Sequence, residues 1–511
     1  MLFTSFAFVG LVLVCLGLYY VAPRVLAEPE DRPRLRTVQT SLLVLTSFVF
    51  YAFNRPVLAL LLLFSVLMNA VVAWLLVSAR TSEVFKTRAL AVGIVANLAV
   101  LACFKYAALF AEFLLPSALE GDVLPALRGI PLPIGISFYT FQGISLLVDV
   151  RRDTSGVAGQ LRTLAAGSDG GEVRRRVRFL TEVALYISFF PQLIAGPIVR
   201  ASQFLHQIRP RRASEVNWNA AGTALVGGYF LKMVVADNLA EHTALLVVDD
   251  FSRYTRVDLL LLVYGYSAQI FADFAGYSLI AIGLGRLFGY ELPRNFRTPY
   301  NSTSITEFWQ RWHISLSSWL REYLYIPLGG NRRGPRRTYV NLMIVMVLGG
   351  LWHGAEWNFA GWGLAHGLFL ATERAVAGGR YGKPELVSNV ARIPRIAVTF
   401  TVVSLLWLFF VTPDFGASAA FFSRLATAPL GLGQLGDGLS TGRLFAIVVF
   451  ISPVLVHHVV SLLQDHRPRV PALGPAVRLG WPRIQTVALG VMLFLIATNH
   501  GVTGEFIYFE F

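Results

Sequence analysis

The hydrophobic residues of this chain fall into long runs separated by short polar loops. A helix rises 1.5 Å per residue, so about 20 apolar residues cross a hydrocarbon core about 30 Å thick, and most of the runs approach or reach that length. The predicted segments are residues 2–22, 41–53, 57–76, 89–115, 134–150, 221–247, 259–285, 396–411, 444–460 and 484–498. Counting tilted and broken segments, the pattern predicts an all-α integral membrane protein with about 11 to 13 membrane segments.

Charge is distributed unevenly among the polar loops. The chain carries a formal net charge of +14, although only 14% of its residues are charged and 55% are hydrophobic. Its Lys and Arg cluster in short loops between apolar runs, which is typical of the cytoplasmic loops of membrane proteins rather than of a nucleic-acid-binding surface. We expect a lipid bilayer around the chain, no nucleic acid, and both termini on the outer side. No basic residue precedes the first run, so a retained span is expected rather than a cleaved signal.

Two apolar segments contain Pro and Gly at positions that break an ordinary helix, residues 132–142 and 189–200. A membrane tolerates such breaks only where protein or a cavity satisfies the freed backbone groups. The second segment, which contains Gln192, has basic loops on both flanks. It is therefore predicted to enter and leave the membrane on the cytoplasmic side as a re-entrant hairpin.

The most informative stretch runs from residue 305 to 374. Apolar residues recur there at helical spacing, which predicts one amphipathic helix over residues 305–324. A second helix is predicted over residues 338–352, ending beside His353. The chain is then expected to turn at Gly361 or Gly363 and return past His366, so that the two limbs form a helical hairpin. His366 is interpreted first as a packing residue.

His353 lies inside an almost wholly apolar segment. An ionisable side chain at membrane depth is costly and faces a cavity or a partner, so it is a functional candidate. Histidine titrates near neutral pH and is the usual general base, but many buried histidines only form hydrogen bonds. His313, beside Trp312, is a second histidine in the same stretch. Asp273 in an apolar run fits a helix-orienting hydrogen bond as well as it fits catalysis.

Four arginines, Arg332, Arg333, Arg336 and Arg337, lie within six residues just before the second helix. They are predicted to hold that end of the helix in the cytoplasm. Guanidinium groups also bind phosphates in a bidentate manner, so the same loop is a candidate for recognition of an anionic donor.

Several of these segments resemble the signature of the membrane-bound O-acyltransferase superfamily, most of all its alginate O-acetyltransferase branch. The resemblance rests on residues 295–300, on SITEFW at 304–309, RWHISLS at 311–317 and LGGLWHG at 348–354, and on residues 132–142. It implies a helical core with re-entrant and tilted helices around a central tunnel. It also implies that His353 is catalytic, as the general base toward the acceptor hydroxyl or as a transient acyl carrier, and that His313 orients the donor or the acceptor. The candidates for lining the tunnel are Trp312, Trp352, Asp273, Gln192 and Ser317.

The resemblance further implies an activity and a location. The expected reaction is transfer of acetyl from cytoplasmic acetyl-CoA to a hydroxyl on the outer side of a bacterial cytoplasmic membrane, in exopolysaccharide or cell-wall modification. The acceptor would be a glycan or a partner protein, and a periplasmic or extracellular acetyltransferase resembling SGNH hydrolases is the expected partner. No metal is expected, because the histidine pair at 457–458 has no Asp, Glu or Cys at ligand spacing.

The chain is predicted to form one polytopic domain over residues 1–511. Within it, residues 1–150 supply N-terminal spans, residues 178–374 the catalytic core and residues 396–511 C-terminal spans. Two alternatives stay open. One is a teichoic-acid D-alanyl transferase that takes its donor from a carrier protein, and the other is a membrane transporter whose buried His and Asp form an ion or proton path.

Overall fold

The computed structural model is built from helices and connecting loops, and the residues that it describes include no β-strand. These residues are 1–26, 32–114, 124–129, 131–166, 171–194, 196–247, 250–376, 389–431, 439–465 and 475–502. Within them, seven segments are long and apolar enough to cross a membrane: Phe6–Val25, Arg32–Ala52, Pro56–Val77, Glu83–Glu112, Arg256–Leu287, Arg392–Val411 and Thr441–Leu463. The prediction of an all-α membrane protein is confirmed, while the central tunnel stays a prediction.

The chain folds into two compact units. The first comprises Met1–Ala224 and Ile280–Pro293, and the second comprises Leu225–Leu279 and Arg294–Phe511. Helices wholly or mostly in the first unit are Phe6–Val25, Arg32–Ala52, Pro56–Val77, Glu83–Leu101, Ala107–Leu114, Ile136–Arg152, Val157–Ala166, Glu172–Ser188, Phe190–Leu193, Ala201–Phe204 and Trp218–Tyr229.

The second unit contains the residues that the sequence singled out between 305 and 374. Helices wholly or mostly in it are Asp237–Thr243, Arg256–Leu287, Ile305–Arg311, Ile314–Leu320, Gly334–His353, Trp357–Val376, Asn389–Leu406, Leu408–Val411, Phe415–Thr427, Thr441–Asp465 and Pro475–Thr498. Two π-helical turns, Phe230–Ala236 and Arg321–Tyr325, continue neighbouring helices of this unit.

In the first unit, buried amides join two membrane helices. The Asn97 side chain donates to the Asn69 side-chain oxygen at 3.0 Å, and Asn69 donates back at 3.2 Å. A Cβ atom on Gly143 would lie 2.6 Å from both amides, so helix Ile136–Arg152 packs against the pair by means of this glycine. Interhelical polar contacts of this kind replace the hydrophobic driving force that is missing between helices in lipid.

The predicted break near residue 190 is confirmed. Helix Glu172–Ser188 ends there, one turn follows at Phe190–Leu193, and the next four-residue turn starts at Ala201. Side chains satisfy the freed backbone groups: the Phe190 N–H donates to Ser47 Oγ at 3.1 Å, and Tyr186 Oη donates to the Val199 carbonyl at 2.9 Å. The re-entrant path of this segment through the membrane stays a prediction.

The predicted amphipathic helix over residues 305–324 is wrong as a single helix. Helix Ile305–Arg311 ends at Trp312, which is extended, and helix Ile314–Leu320 starts after His313. The first of these helices is capped twice. Ser304 Oγ accepts the Glu307 N–H at 3.1 Å, and the Glu373 carboxylate accepts the backbone N–H groups of residues 305 and 306 at 2.6 and 2.9 Å.

The predicted helical hairpin is present, but its turn is not at Gly361 or Gly363. Helix Gly334–His353 ends at His353, the chain turns over residues 354–356, and helix Trp357–Val376 returns. Both glycines lie inside the returning helix. The sequence also has aromatic residues at 505–511, whose type suits the outer membrane interface. They fall outside the described residues.

Candidate active site

His353 is the last residue of helix Gly334–His353, and its side chain is buried, with 4% of the residue exposed. The helix starts with a proline in its first turn, where a missing N–H does no harm. At 1.5 Å per residue, His353 lies about 24 Å along the helix from Arg337. The sequence therefore placed this histidine correctly at the far end of the helix.

One glycine of the LGGLWHG motif and one on the returning helix allow the two limbs of the hairpin to touch. A Cβ atom on Gly350 would lie 2.1 Å from the Phe359 carbonyl oxygen, and one on Gly363 would lie 2.2 Å from the Met346 carbonyl oxygen. Neither backbone oxygen can move aside, so no larger residue fits at these positions. This close approach of backbones, which membrane helices achieve with small residues, fixes His353 against the returning helix.

Aromatic rings surround the His353 side chain. Its ring centroid lies 5.0 Å from that of Trp352, 5.4 Å from Trp362 and 5.1 Å from Phe410. A Cβ atom on Gly354 would lie 2.1 Å from the Phe359 ring, so this glycine is needed beside the histidine as well. The imidazole thus lies in a buried, largely aromatic setting, in which hydrogen bonds are electrostatically stronger than in water.

His313 is brought to the same place by the break between helices Ile305–Arg311 and Ile314–Leu320. Its ring is fully buried and its centroid lies 6.3 Å from that of His353 and 5.8 Å from Trp352. Phe274 packs edge-on against it at 4.6 Å. We call His313, His353 and Trp352 the two-histidine centre.

Trp312 and Ser317 lie at the same break. Trp312 is buried and stacks on Phe308, with ring centroids 5.5 Å apart, and also contacts Trp407 at 5.0 Å. Ser317 Oγ donates to the Trp312 carbonyl at 3.4 Å, so it supports the turn that carries His313. Their role in lining a tunnel stays a prediction.

Asp273 contacts a lysine instead of a histidine. One of its carboxylate oxygens lies 2.8 Å from Lys232 Nζ, which also lies 2.7 Å from Asp237, and all three side chains are buried. This geometry agrees with the helix-orienting interpretation. The sequence contained all three charged residues but no signal that would pair them.

Gln192 lies in the first unit, where its side-chain N–H donates to the Tyr186 carbonyl at 3.2 Å. Gln142 donates to the same carbonyl at 3.0 Å. Gln192 therefore stabilises the broken segment, and its predicted part in a tunnel is untested.

Residues 331–337 are all exposed; Arg332 and Arg333 lie in the loop before helix Gly334–His353, and Arg336 and Arg337 lie in its first turn. A Cβ atom on Gly329 would lie 2.8 Å from the Arg333 side chain, so this arginine folds back over the glycine. The exposed guanidinium groups are available to an anionic ligand.

The contact between Phe410 and His353 had no signal in the sequence. Phe410 reaches His353 from the distant turn Leu408–Val411. His366 is fully buried, and its Nδ1 accepts a hydrogen bond from Trp309 Nε1 at 3.3 Å, which fits its interpretation as a packing residue. Within the described residues, no group of three His, Cys, Asp or Glu could hold a metal ion.

Known proteins resemble this chain over most of its length. A protein of Pseudomonas putida named probable alginate O-acetylase is 33% identical over 528 aligned positions, covering 100% of both chains. A peptidoglycan O-acetyltransferase of Helicobacter pylori is 36% identical over 72% of this chain and 70% of its own. A teichoic acid D-alanyltransferase of Bacillus subtilis is 26% identical over 46% of this chain and 58% of its own.

The model of the MBOAT family, the membrane-bound O-acyltransferases, matches residues 34–410. That match spans both histidines, the hairpin and the broken segment. The chain belongs to the membrane-bound O-acyltransferase family and is an acyltransferase.

Proposed function

We propose that this protein transfers an acetyl group from cytoplasmic acetyl-CoA, across the bacterial cytoplasmic membrane, to a hydroxyl group of an extracellular or cell-wall glycan, or of a partner protein that serves one. The observation that carries the proposal is the two-histidine centre, in which two buried imidazoles lie 6.3 Å apart among aromatic rings. Their proximity supports a part for both imidazoles in one reaction.

In the proposed reaction, His353 is the general base. A ring nitrogen accepts the proton of the acceptor hydroxyl while the hydroxyl oxygen bonds to the carbonyl carbon of the thioester. The carbon–sulfur bond then breaks, and the departing thiolate takes the proton back from the imidazolium of His353. Atoms and charge balance without any metal or redox partner, and a base positioned in this way contributes typically about 10²–10⁴-fold in rate.

His313 orients the donor or the acceptor in this scheme. Its ring centroid lies 5.8 Å from that of Trp352 and 6.3 Å from that of His353. A neutral imidazole has one donor and one acceptor nitrogen, so it can bind a hydroxyl or a carbonyl group. A fixed partner at this position raises the rate because it holds the reacting atoms in line.

The phosphates of the donor are proposed to bind at Arg332, Arg333, Arg336 and Arg337. These four exposed arginines lie in the loop before, and the first turn of, the helix that ends in His353. Phosphate oxygens match the planar fork of arginine. The loop would thus capture coenzyme A at one end of the helix while the acyl chain reaches the other.

The acceptor is proposed from the relatives. Those most similar over most of this chain are named for O-acetylation of alginate or of peptidoglycan, which supports a glycan hydroxyl as the final acceptor. An SGNH-hydrolase-like acetyltransferase outside the membrane is the proposed partner that would accept the acetyl group first. The D-alanyl alternative is less well supported, because the relatives named for it match less than half of this chain at 26% and 29% identity.

The proposal is tested with the full-length protein in nanodiscs, supplied with acetyl-CoA labelled in the acetyl group. Loss of thioester and transfer of label are measured with membrane extract as the source of acceptor. We expect His353→Ala to lower turnover by about 10²–10⁴-fold. His458→Ala is the matched control, because His458 is also buried in the second unit and its Nδ1 lies 2.8 Å from the Val454 carbonyl of its own helix.

If His353→Ala is as active as the wild type at equal amounts of folded protein, His353 is not the general base. Turnover with D-alanyl carrier protein but not with acetyl-CoA would replace the donor and leave the site intact. A wild-type protein that transfers label from neither donor would overturn the proposed reaction.

A further inference from the structure

We infer that Asn295 is a positioning residue for His313, and that it sets the distance between the two histidines. The inference rests on the proposed function, in which His313 orients a substrate. Asn295 lies in the loop that precedes helix Ile305–Arg311 and is buried, with 1% of the residue exposed.

The backbone of His313 adopts a conformation that a histidine rarely takes. Its φ is 42° and its ψ is 53°, in the left-handed region. For a residue with a Cβ atom this region costs roughly 1–2 kcal/mol, and such conformations persist where the surrounding structure imposes them. Something outside the two short helices must therefore hold the turn.

Two backbone hydrogen bonds hold the turn from one side. The Ile314 N–H donates to the Asn295 carbonyl at 2.9 Å, and the Arg297 N–H donates to the Arg311 carbonyl at 3.0 Å. These bonds lie on either side of Trp312 and His313. Residues 295–297 thus form a bracket across the break between the two helices.

The Asn295 side chain holds the same turn from a second direction. Its Nδ2 donates to Ser278 Oγ at 2.9 Å, and its Oδ1 accepts from Ser315 Oγ at 2.6 Å. The amide is suited to this task because it supplies a donor and an acceptor at once. It links helix Arg256–Leu287 to the second residue after His313.

The same helix also supplies the ring that packs on His313. Phe274 lies one turn before Ser278 on helix Arg256–Leu287, and its ring centroid is 4.6 Å from that of His313. Through Ser278, the Asn295 amide therefore fixes the backbone of His313 relative to the ring that its imidazole contacts. Asn295 bonds to the residues on either side of His313 in space, so we expect its effect on the site to be exerted through His313.

Loss of the Asn295 side chain would shift the imidazole of His313 but leave it in the protein. A misplacement of about 1 Å can cost about 100-fold in rate, and we expect a loss like the roughly 10–100-fold that follows removal of an outer partner from a metal-binding histidine. The donor, which binds by its phosphates elsewhere, would be held as before. The expected signature is a loss of kcat with little change in KM for acetyl-CoA.

The test compares Asn295→Ala with Asn301→Ala in nanodiscs. Asn301 belongs to the same loop, is also buried, and donates to the His458 carbonyl at 2.8 Å, away from the two histidines. We expect Asn295→Ala to lower kcat by about 10–100-fold with KM for acetyl-CoA within about twofold. Asn301→Ala should lower the unfolding temperature comparably and keep its kcat per folded molecule.

Ser315→Ala provides a second, milder variant should Asn295→Ala fail to fold. It removes the hydroxyl group that donates to Asn295 Oδ1. We expect about a tenfold loss of kcat with KM for acetyl-CoA again unchanged. Equal losses of kcat in Asn295→Ala and Asn301→Ala would overturn the inference, as would wild-type kcat in Asn295→Ala. If these results accompany an inactive His353→Ala, the proposed function stands and only the role of Asn295 fails. An inactive wild type would overturn both.

Discussion

Lys232 is a buried cation that lies between two carboxylates within the second unit. Its Nζ is 2.7 Å from Asp237 and 2.8 Å from Asp273, and each of the three side chains is no more than 4% exposed. A Cβ atom on Gly276 would lie 2.8 Å from the Gly228 carbonyl oxygen, so the backbones of the two segments nearly touch at this point. The ion cluster therefore ties helix Arg256–Leu287 to the π-helical turn Phe230–Ala236, which carries the lysine.

Replacing Lys232 alone leaves two buried carboxylates without their shared cation. We expect Lys232→Met to destabilise the protein by about 3–5 kcal/mol, because removing one partner of a buried ion cluster exposes the full cost of burying the others. Thermal unfolding in detergent measures this. Lys86→Met is the matched control, because Lys86 pairs with a Glu83 side chain that is 67% exposed, and such pairs contribute little.

A compensated variant tests the same cause from the opposite direction. Lys232→Met combined with Asp237→Asn and Asp273→Asn removes all three charges, and it should unfold at a higher temperature than Lys232→Met alone. If Lys232→Met and Lys86→Met unfold at the same temperature, the ion cluster does not stabilise the fold.

At the scale of secondary-structure elements, the break at Trp312 and His313 decides where the second histidine lies. A single helix over residues 305–324 would give His313 helical backbone angles. In the structure the φ of His313 is 42°, so the chain makes a left-handed turn at this residue. The strain at this residue can be measured apart from its chemistry, since glycine adopts the left-handed region without penalty and alanine does not.

We expect His313→Gly and His313→Ala to lose acetyl transfer alike, but His313→Gly to be the more stable of the two by roughly 1–2 kcal/mol. In an ordinary helix the order is reversed, because glycine there is less stable than alanine by roughly 1 kcal/mol. Gly227, which lies in helix Trp218–Tyr229 with open space around its Cβ position, offers that comparison through Gly227→Ala. His313→Ala more stable than His313→Gly would contradict the strained turn.

The elements that the sequence predicted well are those whose apolar pattern has one interpretation. Residues 259–285 were predicted and Arg256–Leu287 is observed, while residues 338–352 were predicted and Gly334–His353 is observed. Length and hydrophobicity suffice for such helices, since little else can satisfy the backbone in lipid. The position of His353 at the end of its helix followed from the same reasoning.

The features that sequence reasoning missed depend on contacts between distant residues. The apolar spacing of Trp309, Trp312 and Leu316 is the same whether the helix is continuous or broken, and the break is stabilised by hydrogen bonds from residues 295–297. Gly363 predicts a turn by its residue type, yet its function is to let two helices touch. The 6.3 Å approach of His313 to His353 is likewise a result of packing, which periodicity does not encode.

At the scale of the whole molecule, the placement of charge predicts which loops face the cytoplasm. The four arginines at residues 332–337 mark one inner loop, and the short turn at Arg55, between helices Arg32–Ala52 and Pro56–Val77, is predicted to face outward. Both Arg55 and Arg333 are exposed, so a cysteine at either position can be labelled.

The test uses single cysteines in a chain whose own Cys15 and Cys103 have been replaced by alanine. A membrane-impermeant maleimide should label Arg55→Cys in intact spheroplasts and Arg333→Cys only after lysis, because Lys and Arg loops are retained on the cytoplasmic side. The result decides more than orientation. Acetyl-CoA is made in the cytoplasm, so arginines that are labelled from outside could not bind it. If the arginines face the cytoplasm and the acceptor lies beyond the membrane, the acyl group must move from the arginine end of helix Gly334–His353 toward its histidine end.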